Sequence, residues 1–221
     1  MSSEIRPALG WCAREVEEEL PDLHLVVAEA RVGWKGSLTG DSPPPIQARL
    51  RELSNRLRGA QAVSVRREPV PAAYRIFFRH IGLDPDVVRT PIEAAVLERM
   101  LHGGFLSCGL LADVLLIALV DTGVPVWALD AETVDGPLGV RVSNAGEPLG
   151  RSSGAPLLPA GRLVVADASA ALAILFGEVA PGHQPGARAR QLELFAVRVA
   201  GVPALYVEEA LWSCCSALEQ A

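Results

Sequence analysis

The residues of this chain that could do chemistry are few and scattered. In the apolar run 110–120, Asp113 is the only ionisable side chain. Two readings of it are open. It anchors a ligand's amino group or orders a pocket, or it is a first-turn carboxylate favoured by free helix amides and the helix dipole. Ser107, just upstream, could bind a ligand or cap the same helix. His102 and His183 stand beside glycines, and either could move a proton near neutral pH. His183, in Pro-Gly-His-Gln-Pro-Gly, is the better candidate, and a plain surface-loop histidine is the alternative. His24 and His80 have no partner at ligand spacing, so no metal site is expected. Asp130, Arg141, Glu147 and Asp167 fall at strand ends or turns, where ligand-binding groups often lie. Asp167 could instead cap its own turn, and Arg141 could solvate a strand edge rather than reach a carboxylate or phosphate.

Composition bounds the function classes. The chain has 221 residues, half of them hydrophobic, and a mean hydropathy of +0.27, which is material for a large core and argues against disorder. Net charge is −6, so no global basic field draws the chain to nucleic acid. Lys35 is the only lysine among 20 basic residues. The densest positive run lies between 49 and 67, where Arg49, Arg56, Arg66 and Arg67 could meet phosphates. A solvated helix face is the bland reading of the same residues. Cys12, Cys108, Cys214 and Cys215 form neither a CxxC pair nor a disulfide framework, and a reducing compartment, the cytoplasm, is expected. The first twenty residues carry Arg6, Arg14 and an acidic cluster, unlike a secretory signal. The apolar stretch 105–120 is short and holds Asp113, so a buried helix is expected there and no membrane span.

The elements that must position these residues follow from periodicity. Residues 23–32 read as a strand after Pro21-Asp22. The breaker 41–45 precedes a helix with Ile46, Leu50, Leu53 and Leu57 on one face. Residues 71–81 read as a short helix ended by Gly82. Thr90, Pro91 and Glu93 then supply an N-cap, a first-turn proline and a capping-box acid for a helix that Gly103-Gly104 ends. Residues 110–122 read as a central buried helix closed by Gly123. Strands are expected at 124–129, 140–143, 163–168 and 172–176, with a surface loop at 146–161. The segments 188–199 and 207–218 are expected as helices. The fold class is α/β (α+β): one domain over 1–221 with a mixed sheet flanked by helices.

The ordered series Tyr74-Arg75, Gly82-Leu83-Asp84-Pro85, Arg89-Thr-Pro-Ile-Glu93-Ala94, Gly103, Ser107 and Asp113 continues through Gly123-Val-Pro125, Asp130, Arg141, Gly146-Glu147 and 164–167. In order and spacing, the stretch 74–203 resembles the B3/B4 editing domain of the phenylalanyl-tRNA synthetase β subunit. The resemblance implies a domain that binds a misacylated tRNA terminus and hydrolyses the aminoacyl ester, here as a trans-editing deacylase. It implies no cofactor, a small aminoacyl ligand and weak contact with the tRNA acceptor end. An aminoacyl ester is labile enough that orienting it, with a water and oxyanion donors, suffices. The absence of GxSxG or HExxH therefore does not count against hydrolysis.

The sequence departs from that pattern at the polar pocket. Asparagines that flank the helix aspartate in the family fall on Gly109 and Leu116 here. The family's aromatic-Asn-Arg segment falls on Phe176-Gly-Glu-Val-Ala-Pro181, where Glu178, His183, Gln184 and Arg188 are the nearby polar residues. Two functions remain open. One is the hydrolase, with Asp113 and His183 catalytic and Ser107, Asp130, Arg141, Glu147, Asp167, Glu178 and Arg188 binding substrate. The other is a catalytically degenerate module that binds a small ligand or a protein partner. A cleft lined by Asp113, Ser107 and His183 favours the first, and an apolar slot favours the second.

Overall fold

The computed structural model describes residues 7–221. Seven α-helices and eight strands are present among them. The first sheet runs β1 (Ala8–Leu9), β3 (His24–Arg31), β8 (Gln191–Arg198), β4 (Val126–Asp130), with every neighbouring pair antiparallel. The second runs β2 (Trp11–Cys12), β5 (Gly139–Val142), β6 (Leu163–Ala166), β7 (Ala171–Ile174), where β2 lies parallel to β5 and the rest are antiparallel. The α/β class expected from the sequence is what the structure has, with its strands divided between two sheets. One apolar cluster joins them, running from Val27 and Phe195 in the first sheet to Val140, Val165 and Leu172 in the second.

The helices form where their sequences direct. α1 (Arg14–Glu19) buries only Val16. α2 (Pro44–Arg56) starts inside the proline run, because prolines at its first two positions lack N–H groups that would have no helical partner there. The short α3 (Ala60–Ser64) leads to a 3-10 turn, Val65–Arg67, and to α4 (Pro69–His80), whose buried face carries Tyr74, Phe77 and Phe78. α5 (Pro91–His102) opens on the full capping box of Thr90 and Glu93 and closes on left-handed Gly103. α6 (Leu110–Thr122) is the central helix, packed against α2, α7 and β4 and ended by left-handed Gly123. α7 (Ala204–Gln220) packs on β3, β8 and α6 through Val207, Ala210, Leu211, Cys214 and Leu218. Full burial of each such leucine or valine is worth about 1.5–3 kcal/mol. No helix among the described residues is long and apolar enough to cross a membrane.

Two sequence expectations are corrected here. The segment 188–199 is not a helix: it holds β8, hydrogen-bonded to β3 on one side and β4 on the other. Residues 194–197 of this strand are buried in succession, so both of its faces are covered there and the alternation that marks a strand is lost. The segment 146–161 is a loop, but not a purely surface one. It doubles back through a bridge between Pro148 and Leu157, and Leu149 and Leu158 are buried.

Candidate functional site

Asp113 lies in the first turn of α6 and is 1% exposed. Its carboxylate does not cap its own helix. Oδ1 accepts the N–H of Cys108 at 2.8 Å, while Oδ2 accepts the hydroxyls of Ser42, at 2.6 Å, and Ser107. A carboxylate too buried to hydrate is thus satisfied by donors from two loops. Ser107 does not cap the helix either: the N-cap is Gly109, and the Ser107 hydroxyl is spent on Asp113. Gly109 has φ +111, and a β-carbon there would sit 2.9 Å from the Thr39 backbone, so the larger asparagine of the family pattern does not fit this conformation. The start of α6 is held against the 38–42 loop by Leu111 N–H donating to Leu38 O at 3.1 Å.

His183 belongs to a different neighbourhood. It is 3% exposed, its Nδ1 lies 3.0 Å from Thr133 Oγ1, and its carbonyl accepts the N–H of Asp130 at 2.9 Å. Arg151 reaches the same region, donating to Thr133 O at 2.7 Å and to the carboxylate of Asp167. Burial and then the Arg151 charge lower the His183 pKa below its ordinary value, against the opposing pull of Asp167. Asp167 also accepts N–H groups of Asp135 at 2.7 Å, Ser169 at 2.9 Å and Ala170 at 3.0 Å. Burial alone would raise its pKa, but these amides and Arg151 outweigh it and bring it to about 2. Asp130 uses Oδ1 to accept the N–H of Glu132 at 3.2 Å, opening the short turn that presents Thr133.

His183, Asp130 and Asp167 are therefore brought together through Thr133 and Arg151, whereas no hydrogen bond joins them to Asp113 and Ser107. Asp113 and His183 are each buried, and each is hydrogen-bonded to its own partners rather than to the other. Arg141 and Glu147 form a third group, a forked ion pair at 3.0 and 3.1 Å. Glu178 and Arg188 are exposed. Arg49 donates to both oxygens of Asp121 at 2.9 Å and Arg56 to one at 2.7 Å, so this acid offsets part of the positive run. Arg66 and Arg67 stand exposed on the 3-10 turn. Sequence reasoning missed Ser42, Thr133 and Arg151. The first lay in a run read as a breaker and the last in a loop read as surface, and neither has a local signal of its long-range partner.

A slot of about 290 Å³ opens between α6 and β4, and its character is apolar. Leu115, Leu116 and Leu119 of α6 line it together with Pro125, Val126, Trp127, Pro91 and Phe176. Phe176 is the one non-glycine residue with positive φ among those described, at +59°. Its backbone strain is held by ring contacts to Tyr74, Phe77, Phe78 and Trp127, with centroids 5.2–5.7 Å apart. Trp127 in turn stacks on Phe195 at 5.6 Å. Leu116 is one of the positions at which the sequence departs from the polar pattern expected above, and Phe176 directly precedes another, Gly177-Glu178.

An α/β domain with an apolar slot between α6 and β4 is the class the geometry defines. Comparison with known proteins gives it a specific likeness. Over 94 residues, 42% of this chain, it is 37% identical to the phenylalanine–tRNA ligase β subunit of Xanthomonas axonopodis pv. citri, and 35% identical over the same length to that of Xylella fastidiosa. A match of 68 residues to the subunit of Xanthomonas campestris pv. campestris is 40% identical. The 94-residue matches span 12% of those subunits' length. No family model matches the chain. The likeness to the β subunit is consistent with a B3/B4-like domain.

Proposed function

We propose that this chain recognises the aminoacyl end of a charged tRNA, or a related aminoacyl ester, by taking the amino acid's side chain into the slot between α6 and β4. The observation that carries this reading is the slot itself: a concave apolar surface with fixed aromatic walls. The likeness to phenylalanine–tRNA ligase β subunits supports the aminoacyl class of ligand. Contact with the tRNA body is weak in this reading, because the net charge is negative and Asp121 offsets Arg49 and Arg56. The test is equilibrium binding of aminoacylated against uncharged tRNA at low salt. The charged form binds more tightly if the aminoacyl group is read, and equal affinity rejects the reading.

Hydrolysis of the bound ester, as a trans-editing deacylase, is the second reading, and the same likeness favours it. Asp113 then acts by holding the 107–108 segment in place rather than by touching substrate, and any proton transfer by His183 occurs away from Asp113. Incubation with a panel of mischarged tRNAs against a buffer control decides this. Deacylation that survives Asp113→Asn but falls with His183→Gln fits it, and a panel with no turnover leaves recognition alone.

A further inference from the structure

The lining of the slot makes a statement about selectivity that its volume does not. Leucines of α6, Pro125, Trp127 and Phe176 contribute one hydrogen-bonding side-chain atom between them, the indole nitrogen of Trp127, and it can only donate. No side chain that lines the slot accepts a hydrogen bond. An aromatic ring or branched alkyl group entering it loses water at a gain. A phenolic or alcoholic hydroxyl loses water too, and its hydrogen then meets no side-chain acceptor. Capacity is sufficient, since an apolar cavity on the order of 150 Å³ holds benzene and this slot is about 290 Å³.

The walls cannot readily rearrange to supply an acceptor. The Phe176 ring is wedged among Tyr74, Phe77, Phe78 and Trp127, and its left-handed backbone leaves it little freedom to turn away. Trp127 is pinned by its stack on Phe195, whose planes lie within 9° of parallel. Leu116 lines the slot from α6 and presents no polar atom to it. An asparagine there would offer both a donor and an acceptor to the slot.

We propose that the slot selects unsubstituted aromatic and branched aliphatic aminoacyl side chains over their hydroxylated counterparts, with Leu116 as the residue that sets this preference. The proposal rests on the aminoacyl-recognition reading given above. An apolar pocket rejects an added hydroxyl only moderately, so the expected discrimination is on the order of tenfold to a hundredfold.

Calorimetric titration with N-acetyl-phenylalaninamide, N-acetyl-leucinamide and N-acetyl-tyrosinamide tests it, because amides are not consumed by any esterase activity. The phenylalanine and leucine compounds are expected to bind at least about tenfold more tightly than the tyrosine compound. Leu116→Asn should narrow the ratio by strengthening the tyrosine compound, while Leu116→Met, which keeps the volume and adds no amide, should preserve it. Thermal melts of both variants show that they are folded. Equal binding of the phenylalanine and tyrosine compounds overturns the selectivity while leaving the slot as a binding site. An unchanged ratio in folded Leu116→Asn overturns the role of Leu116. Failure of all three compounds to bind overturns the aminoacyl reading itself, and the selectivity with it.

Discussion

Asp113 accepts three hydrogen bonds, and all three donors lie outside its own helix: Ser42, Ser107 and the backbone of Cys108. Removing the carboxylate strands those donors and loosens both loops. Asp113→Ala is therefore expected to cost about 2–4 kcal/mol of stability, read as a drop in the urea midpoint. A lone carboxylate in an apolar run was visible in the sequence as a residue needing partners. Ser42, far away along the chain, was not, because a serine among prolines has no periodic signal. His183 and Asp167 both contribute to the acid limb of stability, and the sign follows from their shifts. The folded His183 pKa lies below its usual 6.5, so the unfolded chain takes up the proton first as pH falls. Its contribution is complete above 6.5 and declines as pH falls toward the folded value. The Asp167 pKa is lowered from 3.8 to about 2, so its contribution is present above 3.8 and declines between those values. Denaturant midpoints measured along this range should fall in two stages, and His183→Gln should abolish the upper one only.

Among the elements, α5 and α6 were legible nearly to the residue because their ends are written in local chemistry. Thr90, Pro91 and Glu93 start α5, and glycines at positive φ close both helices. Thr90→Ala breaks the capping box and should lower stability by about 1 kcal/mol in the same assay. β8 was misread for the opposite reason. Leu192, Leu194, Phe195, Ala196 and Val197 are all buried, since β3 and β4 pair with its two edges and its faces are covered. With the alternation gone, a short apolar run does not distinguish strand from helix. The slot suffered similarly. Leu115, Leu116 and Leu119 read as part of an all-round buried helix, yet they are partly exposed and form a wall. Phe176 was read only as the start of a segment lacking the expected Asn and Arg, because its left-handed backbone and four ring neighbours are products of tertiary packing.

At the scale of the whole molecule, a net charge of −6 gives no global attraction to a long nucleic acid. Arg49 and Arg56 are both drawn onto Asp121, while Arg51, Arg58, Arg66 and Arg67 of the same run stand exposed. Asp121→Asn should release part of that charge, strengthen non-specific tRNA binding and steepen its salt dependence by roughly 0.7 in log–log slope for each additional phosphate engaged. An unchanged slope would mean that tRNA does not approach this face. In the proposed reading, an apolar aminoacyl side chain enters the slot against Trp127. The four tryptophans, Trp11, Trp34, Trp127 and Trp212, each carry an indole N–H that gives its own resonance in a proton–nitrogen NMR spectrum. Titration with N-acetyl-phenylalaninamide should move the Trp127 signal, assigned by Trp127→Phe, while those of Trp11, Trp34 and Trp212 stay in place. Saturable binding that leaves the Trp127 resonance unmoved would contradict the claim.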